Sequence, residues 1–216
     1  MAYKHIIWDW NGTLLNDNWL SIKSINTLLA KYDLPEIELA KYREIFTFPV
    51  IEYYKKLGFD FSKDPFSKVG TEFIHEYTAG MYEPTLHSNS LEILEMIRQN
   101  KLTQSILSAS KLQLLEPLMD HHRIHSFFMR VIGLDNHYAH SKLTVGKKWI
   151  EELGHANHEV LFIGDTLHDF DVGQGMCIDT ILISHGHTSH ARLLKAGVPV
   201  FRSFSDLEPW LSDRIT

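Results

Sequence analysis

The chain carries carboxylates, a lysine and hydroxyls at spacings that would let their chemistry converge. Asp9 follows the apolar run HIIW and is followed by Asn11, Gly12 and Thr13. Ser108 closes the stretch SILS, and Asp165 follows VLFIG. Asp169 lies one helical turn further on, on the same face if that loop opens a helix. Lys142 stands in the connecting segment HYAHSKLTVGKK. Two or three carboxylates, a lysine and a hydroxyl gathered in one crevice make a site for a phosphoryl group and a divalent cation. Carboxylate oxygens suit Mg²⁺, while an ammonium and a hydroxyl neutralise and orient phosphoryl oxygens. Gly12 and Thr13 would let the backbone turn close to phosphate. Two alternatives stay open at this level. Ser110 competes with Ser108, although it is also placed to cap the following helix. Lys147 and Lys148 compete with Lys142, although they read as a solvated helix face.

For these groups to meet, each must sit near the carboxyl end of a strand in an open α/β sheet, where such folds bind ligands. Five short apolar runs read as buried strands: residues 6–10, 105–108, 127–132, 160–163 and 180–184. From residue 88 onward they alternate with helical patterns. Leu91, Leu94 and Ile97, with Ile93 alongside, form one such face; Val145, Trp149, Ile150 and Leu153 form another. The alternation predicts an α/β fold, a parallel sheet covered by helices on both faces. Residues 17–83 break the rhythm. They hold helical stretches at 19–32, 36–48, 50–57 and 65–81, punctuated by Pro35, Pro49, Pro65 and Pro84. A whole β-helix-β unit needs only about 30 residues. The block therefore reads as an all-helical domain inserted into a core of residues 1–16 and 84–216, hinged near 16–18 and 80–86.

Bulk properties exclude several functions. The net charge of −6, with no Lys/Arg run, argues against nucleic acid or an anionic membrane surface as partner. No stretch of 18 apolar residues is present, and Asp9 interrupts the first apolar run where a signal peptide would need it to continue. The single cysteine, Cys177, excludes an internal disulfide, fits a reducing compartment and reads as buried. A cytoplasmic protein with no obligate protein partner is expected. The histidine-rich segments DHHRIH (120–125) and SHGHTSH (184–190) lack the cysteine or carboxylate pattern of a closed zinc site, though the second could edge the active site. His168 reads as a loop residue, and Trp8 and Trp10 as core residues on alternate faces of a strand.

Four motifs, WDWNGTLLND, ILSAS, SKLTVGK and FIGDTLHD, occur in the order and approximate spacing of the haloacid dehalogenase superfamily. They most resemble its phosphoglycolate-phosphatase-like branch. The resemblance implies a Rossmann-like core with a helical cap inserted after the first motif. It implies that Asp9 is the nucleophile and becomes an aspartyl-phosphate. It implies that Ser108 hydrogen-bonds the transferring group, with Gly12, Thr13 and Ala109 beside it, and that Lys142 stabilises its charge. Asp9, the backbone carbonyl of Asn11 and Asp165 would hold Mg²⁺, with Asp169 holding a metal-bound water or the lysine. The implied activity is Mg²⁺-dependent hydrolysis of a small phosphorylated metabolite. Phosphoglycolate is the substrate the resemblance offers; sugar phosphates, nucleotides and phosphonates stay open, with Arg43, Lys55 and Lys56 as candidate contacts.

One position departs from the family pattern. Where its phosphatases carry a second aspartate, which protonates the leaving group and then activates water, this chain has Asn11. An amide cannot shuttle that proton. Three readings follow: a slow phosphatase that favours leaving groups needing no proton, a longer-lived phospho-enzyme that transfers its phosphoryl group, or other chemistry on the same scaffold. A phosphate-binding regulator with little turnover is a further class. Asp165 and Asp169 favour metal-assisted phosphoryl chemistry.

Overall fold

The structure is a computed structural model, which describes residues 2–134 and 142–215. Along the chain, β1 (His5–Trp8) leads into four helices, α1 (Asn18–Lys31), α2 (Leu39–Ile45), α3 (Val50–Leu57) and α4 (Phe66–Ala79). Then come α5 (Ser90–Gln99), β2 (Thr103–Lys111), α6 (Leu112–His121), β3 (Arg130–Leu134), α7 (Lys142–Leu153) and β4 (Val160–Gly164). The chain closes with α8 (Leu167–Met176), β5 (Asp179–Ile183), the short α9 (His190–Leu193), β6 (Val200–Phe201) and α10 (Phe204–Ile215).

All six strands are parallel, in the order β3-β2-β1-β4-β5-β6. The apolar run of β1 is buried from end to end because the strand is covered on both faces. Its register sets Trp8 beside Ile106 of β2 and Ile163 of β4. The strand order reverses at β1, so the crevice beyond its carboxyl end is the switch point where open α/β sheets bind ligands. Side-chain alternation splits the core into two layers. Ile6, Trp8 and Ile106 pack with α5, α6 and α10, while Ile7, Leu107 and Phe162 pack with α7 and α8. Among the described residues no helix is long and apolar enough to cross a membrane.

Helices α1 to α4 form an inserted helical cap with a separate core of Ile25, Leu28, Leu29, Tyr53, Tyr54 and Val69 among others. Pro49 and Pro65 stand at the N-caps of α3 and α4, where a missing N–H costs nothing. The two connections to the core run side by side. Asn16 N–H donates to Thr85 (2.9 Å) and His87 N–H to Leu14 (2.9 Å).

Several expectations need correction. Leu91 is 48% exposed, and Ile93, Leu94 and Ile97 carry the buried face of α5. The third strand starts at Arg130, and a sixth strand of two residues, followed by α10, completes the sheet. Trp8 and Trp10 lie in one core layer, since residues two apart on an extended chain share a face. Cys177 is exposed: it ends α8 with φ of +58°, and this left-handed turn carries it to the surface.

Candidate active site

Chain geometry delivers the acidic groups to one point. Asp9 follows β1, Asp165 follows β4, and Asp169 sits in the first turn of α8. Thr166 starts that helix with a reciprocal cap: its Oγ1 accepts from Asp169 N–H (3.2 Å), and its own N–H donates to Asp169 Oδ2 (3.0 Å). The cap fixes the direction of Asp169. All three carboxylates are buried, with ligand oxygens within 4.8 Å of one another. Lys142, at the start of α7, is 3% exposed and donates to both Asp9 Oδ1 and Asp169 Oδ1 at 2.5 Å. Lys147 and Lys148 are exposed, and Lys148 faces Glu152 at 3.7 Å. Thr13 Oγ1 donates to Asp165 Oδ1 (3.0 Å) and lies 3.3 Å from Asp9 Oδ2.

The loop after Asp9 is held close to these groups by glycine. Gly12 has φ of +75°, and a Cβ there would overlap Asp165 Oδ2 and the His187 ring. Gly12→Ala is expected to cost at least about 1–2 kcal/mol from the left-handed conformation alone, with the steric overlap adding to it. Chemical denaturation of the two proteins checks this.

Three carboxylates against one ammonium leave a charge of −2 when all are ionised. Burial drives the Asp9 carboxyl up to about 8; Lys142 opposes the rise, and Asp169 and Asp165 add to it. Burial, partly offset by His187 and reinforced by Asp169, lifts Asp165 to about 6. Burial likewise acts against ionised Asp169, but Lys142 outweighs it and holds that carboxyl below its ordinary range. Burial also disfavours charge on Lys142, yet Asp169 and Asp9 hold its pKa above the usual lysine value. Hard oxygen donors and uncompensated negative charge fit a divalent cation such as Mg²⁺. Among the described residues this is the one cluster of three or more His, Cys, Asp or Glu side chains with metal-binding geometry. Neither histidine-rich segment forms one.

Asp9 and Asp165 have folded pKa values of about 8 and about 6, both above the ordinary 3.8. Their contributions are fully present below about pH 4 and are lost as pH rises through those values. His187 behaves alike: burial opposes its charge, but Asp17 outweighs that and holds it at about 9, so its contribution fades as pH rises from 6.5 through 9. Below pH 6.5 the histidines His5, His87, His122 and His185, which burial holds neutral down to about 3 or 4, act the other way, so metal-free protein is expected to show a falling Tm between about pH 6.5 and 9. Added Mg²⁺ should raise Tm more at pH 8 than at pH 5, as calorimetry with and without chelator would show.

Asn11 is held at both ends of its amide. Its Nδ2 donates to Asp17 Oδ2 (2.8 Å) and Tyr77 Oη (2.9 Å), and its Oδ1 accepts from Ser110 Oγ (2.8 Å). Asp17 fixes this orientation, because an ionised carboxylate only accepts. Asp17 is 1% exposed and also accepts from Gly12 N–H (2.8 Å) and Tyr77 Oη (2.6 Å), with His187 Nε2 at 3.4 Å. Burial works against its charge, but His187, Tyr77 and Asn11 together hold its carboxyl below the ordinary range. Ser110, expected to cap α6, instead secures Asn11; Lys111 occupies the cap position. Ser108 is buried at the cavity, where its Oγ accepts from Ser110 N–H (3.1 Å), and Ala109 lines the same space. His187 belongs to the histidine-rich segment expected to edge the site, and Ser110 reads in the sequence only as a ligand or helix cap; the sequence carries no signal for Asp17 or Tyr77.

These groups open onto a cavity of about 220 Å³ between core and cap. Asp9, Ser108, Lys142 and Asp169 form its floor, and aromatic side chains of the cap form most of its roof. His168, expected in a loop, lies in α8 and stacks on Phe48 of the cap (ring centroids 4.5 Å apart). Of the candidate cap cations, Arg43 donates to the carbonyls of His185 and Gly186, Lys55 pairs with Glu52 at 2.7 Å, and Lys56 faces the Ile45 carbonyl at 3.5 Å.

The chain from residue 6 to 183 matches the family model described as haloacid dehalogenase-like hydrolase. No curated protein sequence matches it. Among solved structures, it resembles a haloacid dehalogenase-like family hydrolase from Streptococcus pneumoniae, with TM-score 0.83 at 20% identity over 96% of this chain and 98% of that one. A predicted phosphoglycolate phosphatase from Haemophilus somnus gives TM-score 0.76 at 18% identity, covering 96% and 97% of the two chains. CbbY from Rhodobacter sphaeroides, solved in complex with phosphate, gives 0.72 at 18%, covering 96% of each. With the family model spanning most of the chain and the sheet, cap and strand-end carboxylates in place, this protein belongs to the haloacid dehalogenase-like hydrolase family.

Proposed function

We propose that the protein is a Mg²⁺-dependent phosphomonoesterase that hydrolyses a small phosphorylated metabolite through an aspartyl-phosphate on Asp9. The observation that carries this reading is the placement of Asp9 at the sheet's switch point, within a buried carboxylate cluster that grips a buried lysine. A carboxylate nucleophile divides one difficult displacement into two easier ones. Lys142 occupies Asp9 Oδ1, leaving Oδ2, with its long contact to Thr13, as the attacking oxygen. Ser108, Ala109 and the turn at Gly12–Thr13 would receive the phosphoryl oxygens, with Lys142 balancing their charge. Asp9, Asp165, the Asn11 carbonyl and Asp169, directly or through water, would hold Mg²⁺. When bound, the ion neutralises phosphoryl charge as it builds. Residues 17–83 would act as a cap over residues 1–16 and 84–216, excluding water and selecting the leaving group.

Asn11 sets the tempo. Its amide orients groups but moves no proton, so both ester cleavage and water attack lose acid-base assistance, worth about 10²–10⁴-fold. The same observation favours, as a second reading, a phospho-enzyme that lasts long enough to pass its phosphoryl group to an acceptor other than water. Release of inorganic phosphate from acetyl phosphate and p-nitrophenyl phosphate tests the first reading. Both should turn over with Mg²⁺ and stop with chelator. No release from either, with Mg²⁺ present, would overturn it.

A further inference from the structure

Resting on the phosphomonoesterase reading, we infer from the cavity that the substrate is an aryl phosphate, whose flat aromatic leaving group is seated among the rings of the cap. The cap wall is aromatic and already assembled. Phe46 lies 5.1 Å from Tyr42, 5.6 Å from Phe48 and 5.2 Å from Tyr53, centroid to centroid, and Tyr53 lies 5.6 Å from Tyr54. Such edge and offset arrangements leave ring faces and edges for another ring. The cavity, at about 220 Å³, exceeds the roughly 150 Å³ of apolar space that suffices for benzene.

Charge on the wall points the same way. Its cations, Lys142, Lys111 and His187, all come from the core; Lys142 is already held between two carboxylates and His187 faces Asp17 at 3.4 Å. No cap residue on the wall is basic, and Arg43, Lys55 and Lys56 are engaged elsewhere. A carboxylate or second phosphate seated against the cap, away from Lys111, would therefore be buried without a cation, which is costly. The one acidic cap residue on the wall, Asp17, already accepts from Asn11, Gly12 and Tyr77. One polar atom is free. The buried Tyr53 hydroxyl has no hydrogen-bond partner, alone among the wall's buried side-chain polar atoms in the described residues.

Asn11 supplies an independent argument. Attack by Asp9 forms a carboxylate oxygen–phosphorus bond and breaks the bond from phosphorus to the ester oxygen, whose electron pair must go somewhere. A phenolate holds that pair in its ring, leaves without a proton and takes one from solvent afterwards. Water then attacks phosphorus, returns the bonding pair to the Asp9 carboxylate, and releases its proton to solvent with inorganic phosphate. An alkoxide leaving group would need the acid that Asn11 cannot be.

Titration calorimetry in Mg²⁺ with three non-hydrolysable phosphonates tests the inference. Phenylphosphonate is expected to bind about 30-fold more tightly than methylphosphonate, the gain of burying a ring. Phosphonoacetate, which carries a carboxylate instead, should gain nothing. Phe48→Ala should shrink the phenyl-to-methyl ratio by about 10-fold. Phosphonoacetate binding best, or phenyl and methyl binding equally, would overturn the aromatic assignment. Acetyl phosphate turnover separates that failure from a deeper one. If acetyl phosphate is hydrolysed while the phenyl preference is missing, only the substrate class falls. If acetyl phosphate is inert and no phosphonate binds, the phosphomonoesterase reading falls and the substrate class with it.

Discussion

Replacing Asp9 by asparagine is expected to lower kcat/KM for p-nitrophenyl phosphate by about 10⁴-fold or more, the scale on which removing a covalent nucleophile acts. The folded state should survive. Burial and two neighbouring carboxylates push the Asp9 carboxyl up to about 8, so its ionised form is held at a cost near neutral pH. Asn removes that crowding while keeping the shape, and Lys142 retains Asp169 at 2.5 Å. In metal-free protein the Tm of Asp9→Asn should therefore equal or exceed that of the native chain at pH 8. Lost activity together with a collapsed Tm would point to a structural role instead.

The second large effect runs the other way. Asn11→Asp should raise turnover of alkyl phosphates by about 10²–10⁴-fold, the worth of general acid-base catalysis. The gain should be smaller with p-nitrophenyl phosphate, whose leaving group needs little help. The site is arranged to make the new carboxyl an acid. Its neighbour at 2.8 Å would be the Asp17 carboxylate, which His187 keeps ionised, and two carboxyls that close cannot both ionise readily. The introduced group should stay protonated well above the ordinary carboxyl range, and activity should fall as pH rises through its pKa. Comparing the two substrates across pH measures both effects. Equal gains for both would mean that the substitution acts by something other than proton transfer.

Much of this site was legible in the sequence because its parts are local. A buried parallel strand announces itself as an apolar run, and a carboxylate immediately after it can only stand at the strand's end. Asp165 and Asp169 carry their own spacing, and the Thr166 cap follows from four adjacent residues. What escaped was assembled across the chain. Asp17 carries no local sign of its role, because its partners Tyr77 and His187 lie 60 and 170 residues away, in the cap and in the loop after β5. Ser110 reads as a capping serine until the loop after β1 brings Asn11 to 2.8 Å. The aromatic roof was hidden similarly, since Phe46, Tyr53 and Tyr54 come together only in the folded cap, whose own hydrophobic cluster also uses them. β6 was missed because two residues carry no periodicity, and Cys177 because a single left-handed turn decided its exposure.

Covalent labelling tests the central claim most directly. Protein mixed with acetyl phosphate and Mg²⁺, quenched in acid within one turnover and weighed intact, should carry a single phosphoryl group. Peptide mapping should place it on Asp9, and Asp9→Asn should carry none. Because Asn11 withholds a base from the water step, the labelled fraction should be substantial and should shrink in Asn11→Asp. Steady turnover with Asp9 unlabelled, or with the label on another side chain, would contradict the account.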